Sequence, residues 1–317
     1  MDPTLARLSE ISNLTVLRNA PLSAYTRFAI GGPADVYAET ESVDAFVQAL
    51  AVARASGHEY MVMGGGTNLI VSDTGFRGIM LRFTGRLIQS SGDTVACDAG
   101  ALLQDLVDFT IGRGLAGLET LSGIPGSVGA AVYGNAGAYG HSISESVRQV
   151  RFFDGQHVRA FDNAACQFRY RESVFKQHKD WVIFSAELRL APGNAAALRQ
   201  TADDILKVRN EKFPVAMKCA GSIFKNLLLA DLPPAAAALV PENVVREGKV
   251  PAAYFLEQAG AKGMSRGDIH VAAYHANLIY NGGQGTAADL RALIEELKGR
   301  VRARFGIELQ EEVQYVA

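Results

Sequence analysis

Apolar and polar positions along the chain switch between two periods, and the switches mark out strands and helices in alternation. Ser42 to Gly57 carries Val43, Phe46, Val47 and Leu50 at the spacing of one helix face, with Ser42 suited to cap the start and Gly57 to stop it. Short apolar runs predict strands at Tyr60 to Met63, Leu69 to Val71, Ile79 to Arg82 and Thr94 to Cys97. Leu103, Leu106, Val107 and Thr110 predict a helix ending near Gly112 or Gly114. Strands resume at Val147 to Phe153 and Trp181 to Leu190, and a helix with Leu198, Ala202, Ile205 and Leu206 on one side spans Ala195 to Arg209. Pro233 to Leu239 is expected as a short biased loop, and Pro251 to Gly260 as a helix after its proline start. Thr286 caps a long helix, with Asp289 at the third position and a buried stripe of Leu290, Leu293, Ile294, Leu297 and Val301. The closing ELQEEVQYV predicts a strand with Leu309, Val313 and Tyr315 on one face and Gln310, Glu312 and Gln314 on the other.

The periodicity breaks down over Gly114 to Gly140, a run of glycine, small residues and a few apolar anchors with little charge. Such a backbone is built to come very close to something. Ala191 to Leu198 is the best domain boundary, giving 1–194 (two lobes, about 1–72 and 73–194) and 195–317. A length of 317 residues suits roughly two domains.

Composition narrows the function classes. The net charge of −2 argues against a surface built to coat nucleic acid or an anionic membrane. The three cysteines, Cys97, Cys166 and Cys219, are widely spaced without a C-x-x-C, which favours a reducing compartment over a disulfide framework or a structural zinc. The first residues, Met1 to Pro21, lack a basic region followed by an apolar run, and no stretch approaches the ~18 apolar residues of a membrane span. The expectation is a cytoplasmic protein with no membrane insertion and no evident obligate protein partner.

Candidate chemistry begins with two glycine loops: Gly64, Gly65, Gly66, Thr67, Asn68 and Leu69, then Gly123, Ile124, Pro125, Gly126, Ser127, Gly129 and Ala130. A pyrophosphate is best held by converging backbone N–H groups, and glycine removes the side chains that would block its approach. Neither loop fits the Rossmann or P-loop spacing. Tight turns and close packing would also use these glycines, but two such loops with little charge favour a long ligand such as a dinucleotide. A metal is not expected, because no His, Cys or Asp partners sit at ligand spacing. His275 in HANLIYN, between alanine and tyrosine, is expected mainly as a packed, hydrogen-bonded residue.

The ordered segments GGGTNLIVSDTGFRGIML, GIPGSVGAA, NAGAYG, FRYRESVFK, AGSIFKN, EQAGAKG, HANLIYN and FGIELQEEV closely resemble one family. It is the UDP-N-acetylenolpyruvoylglucosamine reductases, also called UDP-N-acetylmuramate dehydrogenases, and the likeness runs from about Pro21 to Tyr315. The resemblance implies an α+β chain: an FAD-binding fold of the p-cresol methylhydroxylase and vanillyl-alcohol oxidase type, then a C-terminal α+β substrate domain. It implies noncovalent FAD, since no histidine falls inside GGGTNLIVSD, with NADPH as hydride donor and UDP-N-acetylglucosamine enolpyruvate as substrate. The activity implied is reduction of that substrate to UDP-N-acetylmuramate for peptidoglycan synthesis.

By motif position the resemblance assigns catalysis to Arg171, Ser222 and Glu312, the last carried back to the active site by the final strand. Arg171 would hold the enolpyruvyl carboxylate with a planar fork suited to it. Ser222 would protonate a carbanion, and Glu312 would either stand protonated beside the substrate carboxylate or bond and orient the enol in a network with Arg171. Glu311, on the opposite face, serves as its control. Without the family, these three would pass for a surface arginine, a serine bonded to its own backbone and a solvated carboxylate. Tyr170, Lys212, Lys225, Asn226 and Lys262 are the expected substrate contacts; Lys212 and Lys225 belong to a basic cluster with Lys207, Arg209 and Lys218.

The chain departs from the family pattern at Leu227, where proline is usual, at Gln314, where arginine is usual, and at Tyr133-Gly134. The short span between Arg171 and Ser222 marks the type without the inserted tyrosine loop. Two other classes fit parts of the pattern: an FAD-dependent alcohol or sugar oxidase, which would consume oxygen, and a non-catalytic flavin-binding module, which NADPH would not bleach.

Overall fold

The computed structural model describes residues 3–317; Met1 and Asp2, the start of the stretch assessed for a leader, lie outside the described residues. The chain forms two compact units, each drawn from separate stretches. The first comprises the described residues up to Ala20, Asp35–Gly65 and Gly78–Glu211; the second comprises Pro21–Ala34, Gly66–Arg77 and Lys212–Ala317.

In the first unit a four-stranded sheet runs in the order Thr15–Pro21, Pro33–Thr40, Phe76–Phe83, Glu59–Met63. Its last two strands are parallel, with Val62 opposite Leu81. Parallel neighbours need a crossover. The helix Val43–Ala55 lies between Pro33–Thr40 and Glu59–Met63 in the chain. Ser42 has extended backbone and its hydroxyl accepts from Ala45 N at 3.3 Å, as a cap should. The helix buries Ala45, Phe46, Ala49, Leu50 and Ala53, which follow its i, i+3, i+4 face. A short helix not foreseen from the pattern, Pro3–Ser9, adds Leu5 and Leu8 to the same core. Phe46, Phe83 and Phe184 meet edge to face there, at centroid distances of 5.1 to 6.2 Å.

The rest of this unit is built on a five-stranded antiparallel sheet ordered Val158–Asp162, Val147–Phe153, Val182–Arg189, Thr94–Asp98, Ile88–Ser91. Helix Leu103–Gly112 and the short helix Val128–Tyr133 bury their apolar faces in its core. Helix Ala195–Lys212 places Leu198 and Ala202 in that core, while Ile205 and Leu206 are half-buried. The border expected after residue 194 therefore lies at Glu211/Lys212, because this helix belongs by its packing to the preceding sheet.

The second unit carries a three-stranded antiparallel sheet, Ser265–Arg266, Ile269–Val271 and Ile279–Asn281. Helix Ala287–Phe305 buries the expected stripe of Leu290, Leu293, Ile294, Leu297 and Val301, each such burial stabilising by ~1.5–3 kcal/mol. Thr286 accepts from Asp289 N at 3.0 Å, and Gly306 ends the helix with φ 67°, a left-handed value suited to glycine. The expected lobe border at 72/73 does not appear. Gly66–Arg77 belongs whole to the second unit: Leu69–Val71 pairs in parallel with Gln314–Val316, and the Asp73 carboxylate accepts from Ala287 N and Ala288 N at 2.8 and 3.0 Å.

Two local expectations change. The loop expected at Pro233 to Leu239 contains one helical turn, Pro234–Ala237, started by proline at its first position. The closing strand is shorter than its alternation suggests: only Gln314–Val316 forms a strand, and Glu311 makes an isolated bridge to Phe224.

Candidate active site

In the first unit, Gly64 and Gly65 approach the loop from Gly123 to Ala130. A Cβ at Gly64 would sit 3.3 Å from Ser127 Oγ, and one at Gly65 would sit 3.5 Å from Gly126 Cα and Ser127 N. These two strips of bare backbone leave a cradle that side chains would fill. Gly123 and Gly126 hold φ of 74° and 117°, values that disfavour any residue with a Cβ. Gly129 lets its helix pack on Ala99, where an added Cβ would come within 2.8 Å. Just before the loop, Thr120 Oγ1 and Ser122 Oγ are buried with no hydrogen-bond partner in the protein. Buried hydroxyls are normally satisfied, so they suit a polar ligand against this stretch. The residues present therefore fit FAD. Asn68, in the first loop, donates through Nδ2 to Glu312 O at 2.6 Å. Thr67 and Leu69 flank it, half-buried.

Arg171 stands at the tip of a tight turn in the first unit. Arg169 and Glu172 exchange backbone hydrogen bonds of 3.0 and 3.1 Å, leaving Tyr170 and Arg171 between them. Arg171 has φ 58°, an uncommon conformation for a non-glycine residue. Strain of this kind persists only where the surroundings hold it in place. Four groups do so here. Asn135 Nδ2 donates to Arg169 O at 2.9 Å, and Ser173 Oγ to Tyr133 O at 2.7 Å. Lys176 Nζ donates to Arg171 O at 2.8 Å, and Arg171 Nη2 to Gly137 O at 3.0 Å. The guanidinium lies 5.3 Å from the centroid of the Tyr170 ring. The segment NAGAYG, visible in the sequence only as a motif, is thus the floor on which the FRYRES turn is fixed.

Ser222 and Glu312 both lie in the second unit, on adjacent extended segments. Ser222 bridges Leu278 on one side. On the other, Glu312 N donates to Ile223 O at 2.8 Å and Lys225 N to Gln310 O at 2.9 Å. This antiparallel register sets Phe224 opposite Glu311 and ties the Ser222 segment to Glu312 through backbone bonds alone. Glu311 pairs with Lys298 at 2.9 Å and accepts from Tyr315 OH at 2.6 Å, which are structural duties. Burial, and then Glu311 itself, hold the Tyr315 phenol well above its usual range.

Among the expected substrate contacts, Lys212 Nζ lies 5.3 Å from the Phe213 ring centroid, and Lys262 pairs with Glu257. Asn226 Oδ1 accepts from Ala252 N at 3.4 Å, at the start of helix Ala252–Gln258. Lys225 is half-buried next to it, and Tyr170 is 37% exposed. Lys207 and Arg209 lie in the first unit, Lys218 in the second. Cys97, Cys166 and Cys219 are all buried, and burial pushes the first two thiols up to about 12, so neither is poised as a nucleophile. Among the described residues no group of three or more His, Cys, Asp or Glu could hold a metal ion, and no helix is long and apolar enough to cross a membrane.

His275 is half-buried, tilted against Phe213 at 5.9 Å, and its Nδ1 accepts from Asn277 N at 3.1 Å. Burial, then the charge of Lys212, push its imidazole from 6.5 down to about 4. Below pH ~6.5 the unfolded chain therefore binds a proton that the folded chain refuses. The stability linked to His275 is fully present above that pH and is lost as pH falls through about 4. Denaturant midpoints measured from about pH 7.5 to 4.5 should fall less steeply for His275→Gln than for the unaltered protein. Equal slopes would contradict this assignment.

Residues 34–158 match the model of an FAD binding domain, and residues 213–316 match that of UDP-N-acetylenolpyruvoylglucosamine reductase, C-terminal domain. The first match covers the glycine loops, so cradle and family model together define a flavoprotein. The chain belongs to the UDP-N-acetylenolpyruvoylglucosamine reductase family. It is 67% identical over 310 residues to the reductase of that name from Solibacter usitatus, covering 98% of this chain and 99% of that one. It is 33% identical over 320 residues to the one from Bacillus subtilis, covering 100% and 99%. A crystal structure of UDP-N-acetylenolpyruvylglucosamine reductase from Thermus caldophilus superposes with a TM-score of 0.74 at 26% identity, over 96% of this chain and 99% of that one. The α+β architecture, with an FAD-binding domain followed by this C-terminal domain, agrees with the expectation from sequence.

Proposed function

We propose that this protein reduces UDP-N-acetylglucosamine enolpyruvate to UDP-N-acetylmuramate at the expense of NADPH, in the cytoplasm, as a step of peptidoglycan precursor synthesis. The observation that carries the proposal is the register linking the Ser222 segment to Glu312, within a chain whose family membership spans nearly its whole length.

FAD, when bound, supplies the two-electron chemistry that links NADPH to the vinyl carbon of the substrate. Gly64 to Asn68 and Gly123 to Ala130 would hold it through backbone N–H groups, with Thr120 and Ser122 adding hydroxyls. Arg171 binds the enolpyruvyl carboxylate, its fork held in place by Gly137 O. Hydride addition to the vinyl carbon leaves an electron pair on the carbon next to that carboxylate. Ser222 Oγ–H gives its proton there; so strong a base needs no low-pKa acid. Glu312 bonds and orients the enol. Tyr170, Lys212, Lys225, Asn226 and Lys262 meet the anionic sugar nucleotide.

The test is product and stoichiometry. With the enolpyruvyl sugar nucleotide, one UDP-N-acetylmuramate should form per NADPH consumed, without oxygen uptake. Rapid oxygen consumption on an alcohol or sugar would instead identify an oxidase. FAD is held without a covalent bond, because GGGTNLIVSD offers no histidine to attach it. Acid precipitation should release all the yellow colour; flavin retained in the pellet would contradict this.

A further inference from the structure

Asn277 belongs to the motif HANLIYN, yet none of the roles above uses it. It is 2% exposed, and both ends of its amide are spent on one residue of the Ser222 segment. Oδ1 accepts from Phe224 N at 2.9 Å, and Nδ2 donates to Phe224 O at 2.9 Å. Its own carbonyl accepts from Ile223 N at 3.1 Å, and its N–H donates to His275 Nδ1 at 3.1 Å.

The geometry has a plain cause. Ile223 spans the two edges, its N–H on Asn277 O and its carbonyl on Glu312 N, and from Phe224 onward the backbone groups of successive residues alternate between the edges, as in an extended strand. Ile223 O and Lys225 N face the terminal segment, where they bond Glu312 N and Gln310 O. The two peptide groups of Phe224 face the other edge, beside Ser222's bridge to Leu278. The Asn277 amide supplies there the acceptor and the donor that a neighbouring strand would have offered. Phe224 is 1% exposed, so water is a poor substitute. Register slips by single residues turn every side chain to the opposite face, so whatever pins Phe224 also decides which way Ser222 points relative to Glu312.

We propose that Asn277 is a positioning residue of the reductase, setting the register of the Ser222 segment against the terminal segment that carries Glu312; this rests on the proposed role of Ser222 as proton donor. An amide carries both groups at this spacing without titrating. Asn277→Asp, once ionised, cannot donate, and Asn277→Leu can do neither.

The experiment uses the FAD-loaded protein and reads its two half-reactions separately, in a cycle of Asn277→Asp and Ser222→Ala alone and combined. Asn277→Asp should leave flavin reduction by NADPH within about twofold of the unaltered rate. It should slow flavin reoxidation by the enolpyruvyl substrate by about tenfold to a hundredfold, the scale of a ~1 Å misplacement. In the Ser222→Ala background the same change should slow reoxidation little further, because residues that act as one unit are not additive. The product should also carry some of the L-lactyl isomer once solvent competes with Ser222 for the protonation. If Asn277→Asp slows reoxidation by the same factor in both backgrounds, Asn277 is merely structural and this proposal falls while the role of Ser222 stands. If Ser222→Ala reoxidises at the unaltered rate, the role of Ser222 falls and this proposal with it. Should Asn277→Asp fail to fold, Asn277→Ser, whose hydroxyl keeps one donor and one acceptor, takes its place in the same cycle.

Discussion

Ser222→Ala should leave flavin reduction by NADPH near the unaltered rate, while reoxidation by the enolpyruvyl sugar nucleotide slows on the order of a hundredfold or more. Only the second half-reaction creates a carbanion, so only that step needs the proton. Binding of the sugar nucleotide should change little, since one hydroxyl is a small part of a large anionic contact. Ser222→Cys should recover part of the rate, because a thiol also donates. The backbone bonds around Ser222 run through Ile223, Phe224 and Lys225, none of which alanine at 222 disturbs. A fold defect is therefore not expected to mimic the result. Equal slowing of both half-reactions would make the serine structural.

Arg171→Lys should lower turnover on the sugar nucleotide by about tenfold to a hundredfold, with FAD content unchanged. The arginine offers five N–H groups in a plane; it can give one to Gly137 O and keep a bidentate edge for a carboxylate. A lysine ammonium has three donors at one point and cannot do both. The substitution keeps the charge and, because both residues carry a Cβ, leaves the φ of 58° no more strained than before. Steady-state kinetics with flavin occupancy measured on the same samples checks this. Unchanged kinetics would remove Arg171 from the catalytic set.

Much of this fold was legible because the periodic segments are strongly patterned. Leu69–Val71, Val147–Phe153 and the stripe of Ala287–Phe305 stand where the spacing puts them. What the spacing could not carry was membership. Helix Ala195–Lys212 begins at the predicted residue, yet its partner is the preceding sheet, a fact set by Leu198 and Ala202 and not by the proline and glycine before them. Likewise Leu69–Val71 is a plain apolar triplet, and nothing local says it will pair in parallel with Gln314–Val316. The site divides in the same way. Residue types at Arg171, Ser222 and Glu312 were visible through the family's motifs, whereas their supports were not. Asn135 and Asn277 do their work with buried amides on backbone groups distant in sequence, and an asparagine in a loop-like stretch looks the same whether buried or solvated. Thr120 and Ser122 carry no signal in the sequence, because an unpaired buried hydroxyl is a property of the fold.

In the proposed reaction this chain carries hydride from NADPH to an enolpyruvyl sugar nucleotide through bound flavin. The most direct measurement is the visible absorption of the purified protein, followed without oxygen. A flavin band is expected that NADPH bleaches and that added UDP-N-acetylglucosamine enolpyruvate restores. A band that NADPH leaves untouched, or one that only oxygen restores, would contradict it.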